Sequence, residues 1–181
     1  MWRRLVWLFA AAISLALSSP AIADFGGARM TLEGSANAPL GYQVFCLSNP
    51  PHCRGGGASE VRQTEQLIGL LQSVNSRVNN AISPQSDRKD IWSIGVSQGD
   101  CEEYALAKRL ELIRHGVPAS AVRIAMAKSG SGEGHAVVVV RTNAGDLVLD
   151  NLTSRIKNWN ETGLRWIAIA GPNGRNWLKI Q

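Results

Sequence analysis

The spacing of apolar residues changes from helical to strand-like near the middle of this 181-residue chain. Between residues 59 and 82, apolar residues recur at the three- and four-residue intervals of a helix that Ser59 would cap. A second helix is predicted from residue 101 to residue 115, with Gly116 as its stop. The later pattern predicts strands over residues 122–128, 135–142 and 147–152, with one or two more between residues 159 and 181. A helical half followed by a run of strands predicts an α+β domain.

The first 23 residues have the three parts of a secretory signal peptide. Arg3 and Arg4 form a positive start, a short apolar run follows, and Ala-Ile-Ala at residues 21–23 is a cleavage site. Since the apolar run is shorter than the ~20 residues that a membrane-spanning helix needs, we expect cleavage and export. The mature chain then starts at Asp24, with 17 basic and 14 acidic residues and a net charge of +3. This mild charge, without a basic run interleaved with aromatic residues, argues against nucleic-acid binding.

The 158 residues that remain suit one domain. Residues 24–58 are rich in Gly, Pro and Asn and are predicted to form an extended N-terminal segment, with a single domain over residues 59–181. Cysteines of an exported protein tend to pair, so Cys46 and Cys53 are predicted to form a disulfide that closes a small loop. The alternative, a metal site of these two cysteines and His52, lacks a fourth ligand and suits a reducing compartment better.

The third cysteine, Cys101, lies in the sequence Gly-Asp-Cys-Glu-Glu-Tyr at residues 99–104. Asp100 and Glu103 have the spacing of a capping box, which makes Cys101 the first residue of the helix. The helix dipole there favours a thiolate, and free backbone N–H groups can hold an oxyanion. Asp100, Glu102 and Glu103 act in the opposite sense, because negative neighbours raise the pKa of a thiol. These carboxylates either form a solvated first turn, turn away to cap the helix, or bind Ca²⁺, which prefers oxygen ligands.

A nucleophilic cysteine usually needs a base, and that base needs a residue that orients it. Of the three histidines, His135 opens an apolar strand after a flexible Ser- and Gly-rich run. His115 lies at the far end of the cysteine's own helix, and His52 lies in the presumed disulfide loop. If residues 143–144 form a two-residue turn, Asp150 lies diagonally from His135 on the same face, about 7–8 Å away at Cα. A three-residue turn would place it on the opposite face, so a Cys-His-Asp triad depends on this register.

These blocks resemble the bacterial transglutaminase-like cysteine peptidases. The family's Gly-Asp-Cys-Glu motif, with an acidic residue and an aromatic after it, matches residues 99–104. Its His-Ala-Val and Leu-Asp-Asn blocks match residues 135–137 and 149–151, and the similarity runs over residues 92–166. The resemblance implies a papain-like, transglutaminase-like α+β fold whose nucleophile lies at the N-terminus of a helix packed on an antiparallel sheet.

The resemblance also implies an activity and a compartment. It implies an exported thiol protease, a hydrolase with Cys101 as nucleophile, His135 as base and Asp150 as orienter. It implies a periplasmic location, because relatives of this family release large surface adhesins there. The expected partners are accordingly an exported or surface protein substrate, such as an adhesin, and an inner-membrane regulatory receptor.

Calcium is the one metal that the resemblance implies, bound by Asp100, Glu102 and Glu103 beside the nucleophile. The chemistry itself requires no cofactor. The chain departs from the family over residues 166–170, which read Trp-Ile-Ala-Ile-Ala where relatives often carry Arg-Gln after the tryptophan. Substrate choice and regulation by a partner therefore do not follow from the resemblance.

Acyl transfer is the reaction expected of these residues. The Cys101 thiolate attacks a peptide or side-chain amide carbonyl, protonated His135 supplies a proton to the leaving amine, and water hydrolyses the thioester. Gln98, just upstream, is a candidate oxyanion donor, with an exposed loop residue as the alternative. A transamidase would use the same acyl-enzyme, and a non-catalytic binding module would keep the same fold. The sequence sets neither the cleavage site nor the oligomeric state.

Overall fold

The computed structural model describes residues 27–86 and 90–181. The predicted signal peptide, residues 1–23, lies outside the described residues. Within the described ranges, no helix combines the length and the apolar character needed to span a bilayer.

A seven-stranded antiparallel sheet forms the centre of the domain, with strand order β1-β9-β8-β4-β5-β6-β7. The α-helices described are α1 (Leu40–Ser48), α2 (Glu65–Ala81) and α3 (Cys101–Arg114). The strands are β1 (Leu32–Ala36), β2 (Ser83–Pro84), β3 (Gln98–Gly99), β4 (Val122–Lys128), β5 (Gly134–Thr142), β6 (Gly145–Leu149), β7 (Lys157–Asn158), β8 (Arg165–Ala170) and β9 (Trp177–Ile180). The short strands β2 and β3 form a separate parallel pair. The α+β class and the antiparallel sheet predicted from the sequence are confirmed.

Helix α3 begins at Cys101, as the capping box predicted, and ends at Arg114 with His115 as its C-cap. Helix α2 begins later than predicted. Thr64, rather than Ser59, is its N-cap, and the Thr64 hydroxyl accepts the backbone N–H of Leu67 at 3.1 Å. The prediction for Ser59 was wrong because several polar residues precede the apolar periodicity, and sequence spacing alone does not select among them.

The sequence predicts an extended segment over residues 24–58. In the described part, residues 27–58, the chain is extended only in places. It contributes β1, which pairs antiparallel with β9 at an edge of the main sheet. It also contains α1, whose Tyr42 and Phe45 are buried in the core. These two side chains lie three residues apart, so one helical face buries both. Tertiary packing of that face outweighs the Gly- and Pro-rich composition from which extended chain was predicted.

The predicted disulfide between Cys46 and Cys53 is present and connects α1 to a 3₁₀ turn at Pro50–Cys53. This pairing rules out the alternative metal site that included His52. The buried guanidinium of Arg109, on α3, donates to the carbonyl oxygens of His52 at 2.6 Å and Arg54 at 3.0 Å. The disulfide loop is therefore attached to the same helix that begins at Cys101.

The register of β5 and β6 decides which residues meet beside α3. Thr142 pairs with Gly145 and Val138 with Leu149, so Asn143 and Ala144 form the two-residue turn on which the predicted site depended. The strand predicted over residues 147–152 starts earlier and stops at Leu149. The chain leaves the sheet there because helix α2 binds the next segment: the Asn75 side-chain amide donates to the carbonyl oxygen of Thr153 at 2.8 Å.

Candidate active site

A capping box fixes the start of α3, the helix that begins at Cys101. The backbone N–H of Asp100 donates to Glu103 Oε2 at 3.1 Å, and the Asp100 side chain accepts the backbone N–H of Glu103 in return. Gly99 lets the Glu103 side chain lie close to the backbone before the helix, because a Cβ at residue 99 would be 2.7 Å from the Glu103 Cβ. The predicted local structure is therefore present, and it presents Cys101 as the first residue of the helix.

The Glu103 carboxylate is engaged in hydrogen bonds to the local backbone. Its second oxygen, Oε1, accepts the backbone N–H of Ser93 at 2.9 Å, so this carboxylate connects the loop before β3 to the start of α3. Burial raises the pKa of Glu103 to about 7, although hydrogen bonds from the backbone of Asp100 and Ser93 oppose the shift. Each of its oxygens accepts a backbone N–H, and Glu103 is not part of the group of converging ligand atoms formed by Asp100, Cys101 and Glu102.

His135 and Asp150 form a buried pair at the ends of β5 and β6. The His135 Nε2 atom lies 2.8 Å from Asp150 Oδ1, and both side chains are at least nine-tenths buried. The backbone N–H of Leu152 donates to the same oxygen at 2.9 Å. Burial pushes the pKa of Asp150 up, but the hydrogen bonds from His135 and Leu152 and the charges of His135 and Lys108 lower it overall. Asp150 is thus an ionised acceptor that orients the imidazole ring.

Cys101 is the free cysteine of the chain and lies against the start of β5. Its sulfur is within hydrogen-bonding reach of the backbone N–H of Ala136, the residue after His135. The sulfur also lies 3.1 Å from Glu102 Oε2. Burial and then the charge of Glu102 raise the pKa of Cys101, while the Ala136 N–H opposes the shift. In this arrangement the resting sulfur is a thiol.

A cleft of about 760 Å³ exposes these groups to a ligand. Cys101 and His135 both line it, on opposite sides of the junction between α3 and β5. A Ser- and Gly-rich loop over residues 129–134 lines one wall, and Leu152, which is 66% exposed, lies at the rim. Asp150 lies behind the histidine rather than in the cleft. A ligand in the cleft therefore meets the Cys101 thiol and the His135 imidazole, whose Nε2 atom is hydrogen-bonded to Asp150.

Two acidic residues converge beside the sulfur. Ligand atoms of Asp100, Cys101 and Glu102 all lie within 4.8 Å of one another. Burial first, and then the hydrogen bond to Asp100, raise the pKa of Glu102 to about 8. A hydrogen bond between two carboxyl groups requires a shared proton, so this pair carries less negative charge than two free carboxylates. A divalent cation is the alternative to that proton, and two converging carboxylates are suitable ligands for Ca²⁺.

The sequence profile of the bacterial transglutaminase-like cysteine proteinases matches residues 32–181, almost all of the described chain. The chain belongs to this family. It is therefore a transglutaminase-like cysteine protease, a hydrolase, as the motifs at residues 99–104, 135–137 and 149–151 predicted. Family membership argues against the non-catalytic binding module. No curated protein matches the sequence.

Solved structures similar to this proteinase include forms of LapG from Legionella pneumophila. The calcium-bound form has a TM-score of 0.56 and 27% identity, over 65% of this chain and 71% of that one. A second LapG structure has a TM-score of 0.54 and 27% identity over the same shares of the two chains. The EGTA-treated form has a TM-score of 0.52 and 27% identity, over 60% of this chain and 64% of that one.

The other predicted site residues of this proteinase lie elsewhere. Gln98 is exposed and lines a neighbouring cavity rather than the cleft that contains Cys101, so its side chain is not placed as an oxyanion donor. His115 is half-exposed at the end of α3, with Nε2 4.0 Å from a carboxylate oxygen of Glu111. His52 lies in the disulfide loop.

Sequence reasoning missed two residues behind the site. Asn79, on α2, donates its side-chain amide to the carbonyl oxygen of Asp150 at 3.1 Å. Lys108, on α3, is 1% exposed, and its ammonium lies 5.8 Å from the centre of the Tyr104 ring. Lys108 follows Cys101 by seven residues, a spacing that returns to the same helical face. The sequence therefore contained a signal for an unusual buried lysine, because the helical spacing places Lys108 on the same face of α3 as Cys101.

Proposed function

We propose that this proteinase hydrolyses peptide bonds of an exported protein through Cys101, His135 and Asp150. The observation that carries the proposal is the 2.8 Å contact between His135 Nε2 and Asp150 Oδ1, beside a free thiol in the same cleft. An ionised Asp150 accepts the Nε2–H of His135, which leaves Nδ1 as the basic nitrogen. Each residue then has one task, as nucleophile, base and orienter.

The reaction proceeds by proton transfer and acylation. His135 Nδ1 takes the thiol proton of Cys101, and the sulfur attacks the scissile carbonyl carbon while the carbonyl oxygen becomes an oxyanion. Backbone N–H groups at the start of α3 are the available donors to that oxyanion. Collapse of the intermediate breaks the C–N bond, and the His135 proton goes to the leaving amine. His135 then takes a proton from water, whose oxygen attacks the thioester and releases the acid and the thiol.

The electrostatics indicate that the thiolate needs the imidazolium. Burial and Glu102 both raise the pKa of Cys101, so the helix N-terminus alone does not ionise it. Proton transfer to His135 produces two opposite charges together, and Asp150 stabilises the positive one. A low thiolate population at rest and a strong dependence on His135 are the expected consequences.

Calcium is proposed as a regulator of this site. Asp100 and Glu102 would hold it, since their oxygens converge within 4.8 Å and their carboxyl groups interact directly. When bound, the ion would supply positive charge that offsets these carboxylates and so favours the Cys101 thiolate. The existence of calcium-bound and EGTA-treated forms of the similar protein LapG supports this proposal.

The proposed compartment is the periplasm. The tripartite start of the sequence and the Cys46–Cys53 disulfide both suit an exported protein. A surface protein such as an adhesin is the proposed substrate, and an inner-membrane receptor is the proposed regulatory partner. The family resemblance suggests both, and the departure over residues 166–170 makes both matters for experiment. The open cleft with its Ser- and Gly-rich wall suits an extended chain segment of a protein substrate.

A cleavage assay with matched variants tests the proposal. Exported proteins are incubated with wild type, Cys101→Ala, His135→Ala and His115→Ala, each with calcium and with EGTA. We expect wild type and His115→Ala to produce fragments only with calcium, and the two cleft variants to produce none. Equal proteolysis by wild type and Cys101→Ala would exclude the proposed function. Adding a primary amine separates hydrolysis from transamidation, because only transamidation joins the amine to the substrate.

A further inference from the structure

Asp150 lies just past the end of a strand, at the start of the turn that follows β6. The pairing of β5 with β6 ends where Val138 faces Leu149, and Asp150 is the next residue along the chain. Among the described strands, none pairs with Asp150. His135, by contrast, belongs to the paired part of β5, because β4 holds it through Ala127. The sheet therefore fixes the backbone of the histidine, and contacts from outside the sheet set the backbone position of the carboxylate residue.

Helix α2 supplies such a contact through Asn79. Its side-chain amide donates to the carbonyl oxygen of Asp150 at 3.1 Å and to that of Thr153 at 3.3 Å. These two carbonyls belong to the first and last residues of the turn over residues 150–153, so one amide group holds both ends of the turn. Inside the turn, the backbone N–H of Leu152 donates to Asp150 Oδ1 at 2.9 Å. The backbone of Asp150 is therefore held by α2, and its carboxylate is held by its own turn and by His135.

Asn75, one turn earlier on α2, allows a matched comparison. It lies on the same face of the helix and donates its side-chain amide to the carbonyl oxygen of Thr153 at 2.8 Å. Among the hydrogen bonds of the described residues, none joins Asn75 to Asp150. Asn75 is fully buried, whereas Asn79 is half-buried. Burial and contact with Asp150 therefore rank the two asparagines in opposite order.

The side-chain oxygens of both asparagines indicate that the amide donors are what these positions require. Oδ1 of Asn75 and Oδ1 of Asn79 are buried, and neither has a hydrogen-bond partner among the described residues. A buried acceptor without a partner is unfavourable, and an apolar side chain of similar shape, such as leucine, would avoid that cost. Leucine has no donor for the turn. The hydrogen bond to the turn is therefore the property that asparagine provides here.

We propose that Asn79 is a positioning residue that sets the place of Asp150 beside His135. This inference rests on the proposed function and adds an element to it. Asn79 does not line the cleft, so it acts through Asp150 and not on the substrate. Its amide reaches the carbonyl oxygen of Asp150 and not the carboxylate, so it determines where the carboxylate lies and adds no charge to it. Without this hydrogen bond, Asp150 keeps its charge, but the imidazole loses the fixed acceptor that orients it.

The test compares Asn79→Leu with Asn75→Leu and with Asn80→Ala, a change at the adjacent, exposed asparagine. Rates are measured with calcium on an exported protein that wild type cleaves. We expect Asn79→Leu to lower kcat about 10- to 100-fold with KM unchanged, because a misplaced base slows the chemistry and not substrate binding. Asn75→Leu should lower kcat less, although it replaces the more buried residue, and Asn80→Ala should change neither constant. Equal losses of kcat in the two leucine variants, or a wild-type kcat in Asn79→Leu, would overturn the inference.

The hydrogen bond between His135 and Asp150 gives a second readout, which a loss of stability alone does not change. The NMR signal of the His135 Nε2 proton is assigned by its disappearance in His135→Ala. It is recorded at a temperature at which every variant is folded. We expect it to move to higher field in Asn79→Leu, because the hydrogen bond weakens, and to keep its position in Asn80→Ala. An unchanged signal in Asn79→Leu would overturn the inference.

Asn79→Ala replaces Asn79→Leu if the leucine prevents folding. Failure of both variants to fold would overturn the inference, because Asn79 would then support the fold itself. The NMR signal also separates this inference from the proposed function. If wild type and Cys101→Ala cleave equally while the signal moves in Asn79→Leu, the proposed function alone fails. If Cys101→Ala is inactive while Asn79→Leu matches wild type in kcat and in the signal, the inference about Asn79 alone fails.

Discussion

Replacement of Asp150 separates the charge of the orienting residue from the position of its oxygen. Both hydrogen bonds that reach this side chain end on one atom: Oδ1 lies 2.8 Å from His135 Nε2 and 2.9 Å from the Leu152 nitrogen. Asp150→Asn keeps an acceptor oxygen at that atom. The Leu152 N–H fixes the orientation of the new Asn side-chain amide, since the flipped amide would point its NH₂ group at the Leu152 N–H. Asp150→Ala removes the acceptor altogether.

The two substitutions should therefore differ greatly in their effect. A hydrogen bond to a charged group contributes about 1 kcal/mol more than a neutral one, so Asp150→Asn should lower the cleavage rate about fivefold. Asp150→Ala leaves the His135 and Leu152 N–H groups buried without an acceptor, at about 1–3 kcal/mol each. The imidazole also loses its orientation, and we expect a rate at least about 100-fold below wild type.

Single-turnover cleavage measures these rates, and circular dichroism with thermal unfolding establishes that each variant is folded. The expected order is wild type, then Asp150→Asn, then Asp150→Ala, with the larger gap between the last two. Equal rates for the Asn and Ala variants would refute the reasoning, because they would show that charge, and not the position of Oδ1, determines the function of Asp150.

Three further predictions concern the disulfide, the buried lysine and the acidic pair. Replacing Cys46 and Cys53 together by Ser should lower the free energy of unfolding by about 2–3 kcal/mol, because the bridge closes a short loop; an unchanged urea midpoint would contradict this. Burial lowers the pKa of Lys108 to about 7, below the ~10.4 of an unfolded lysine, so the unfolded chain binds more protons between these values. Stability should rise with pH over that window in wild type and not in Lys108→Met, and parallel melting curves would show that this lysine does not titrate there. Glu102→Gln should weaken calcium binding measured by calorimetry, whereas Glu133→Gln, a cleft residue outside the acidic pair, should not; equal affinities for both variants would exclude Glu102 as a ligand.

Local interactions explain where prediction from sequence succeeded. The start of α3 depends on residues three apart, Asp100 and Glu103, whose reciprocal hydrogen bonds form within one helical turn. The meeting of His135 and Asp150 depends on the length of a turn between adjacent strands, so the sequence left one open choice, a two-residue or a three-residue turn. The register of β5 and β6 has the two-residue turn. The Cys46–Cys53 pairing followed from proximity along the chain. In each case the interacting groups are close in sequence.

Long-range packing explains what the sequence did not predict. Helix α1 exists because Tyr42 and Phe45 enter a core built mainly from residues much later in the chain. Gln98 was a candidate oxyanion donor, with an exposed position as the alternative; the structure places it in the short β2–β3 pair, where it is exposed and lines another cavity.

The amino-acid sequence by itself determined which cysteine, histidine and carboxylate are the candidate site residues, because each lies in a short motif whose geometry is local. Only the tertiary structure determined the environment that sets their charges. The burial of Lys108, the backbone N–H of Ala136 at the sulfur, and the burial of the Cys101 thiol all require α3 to be packed on the sheet. Charge interactions depend on distance and burial, and neither quantity is encoded in the spacing of residues along a chain.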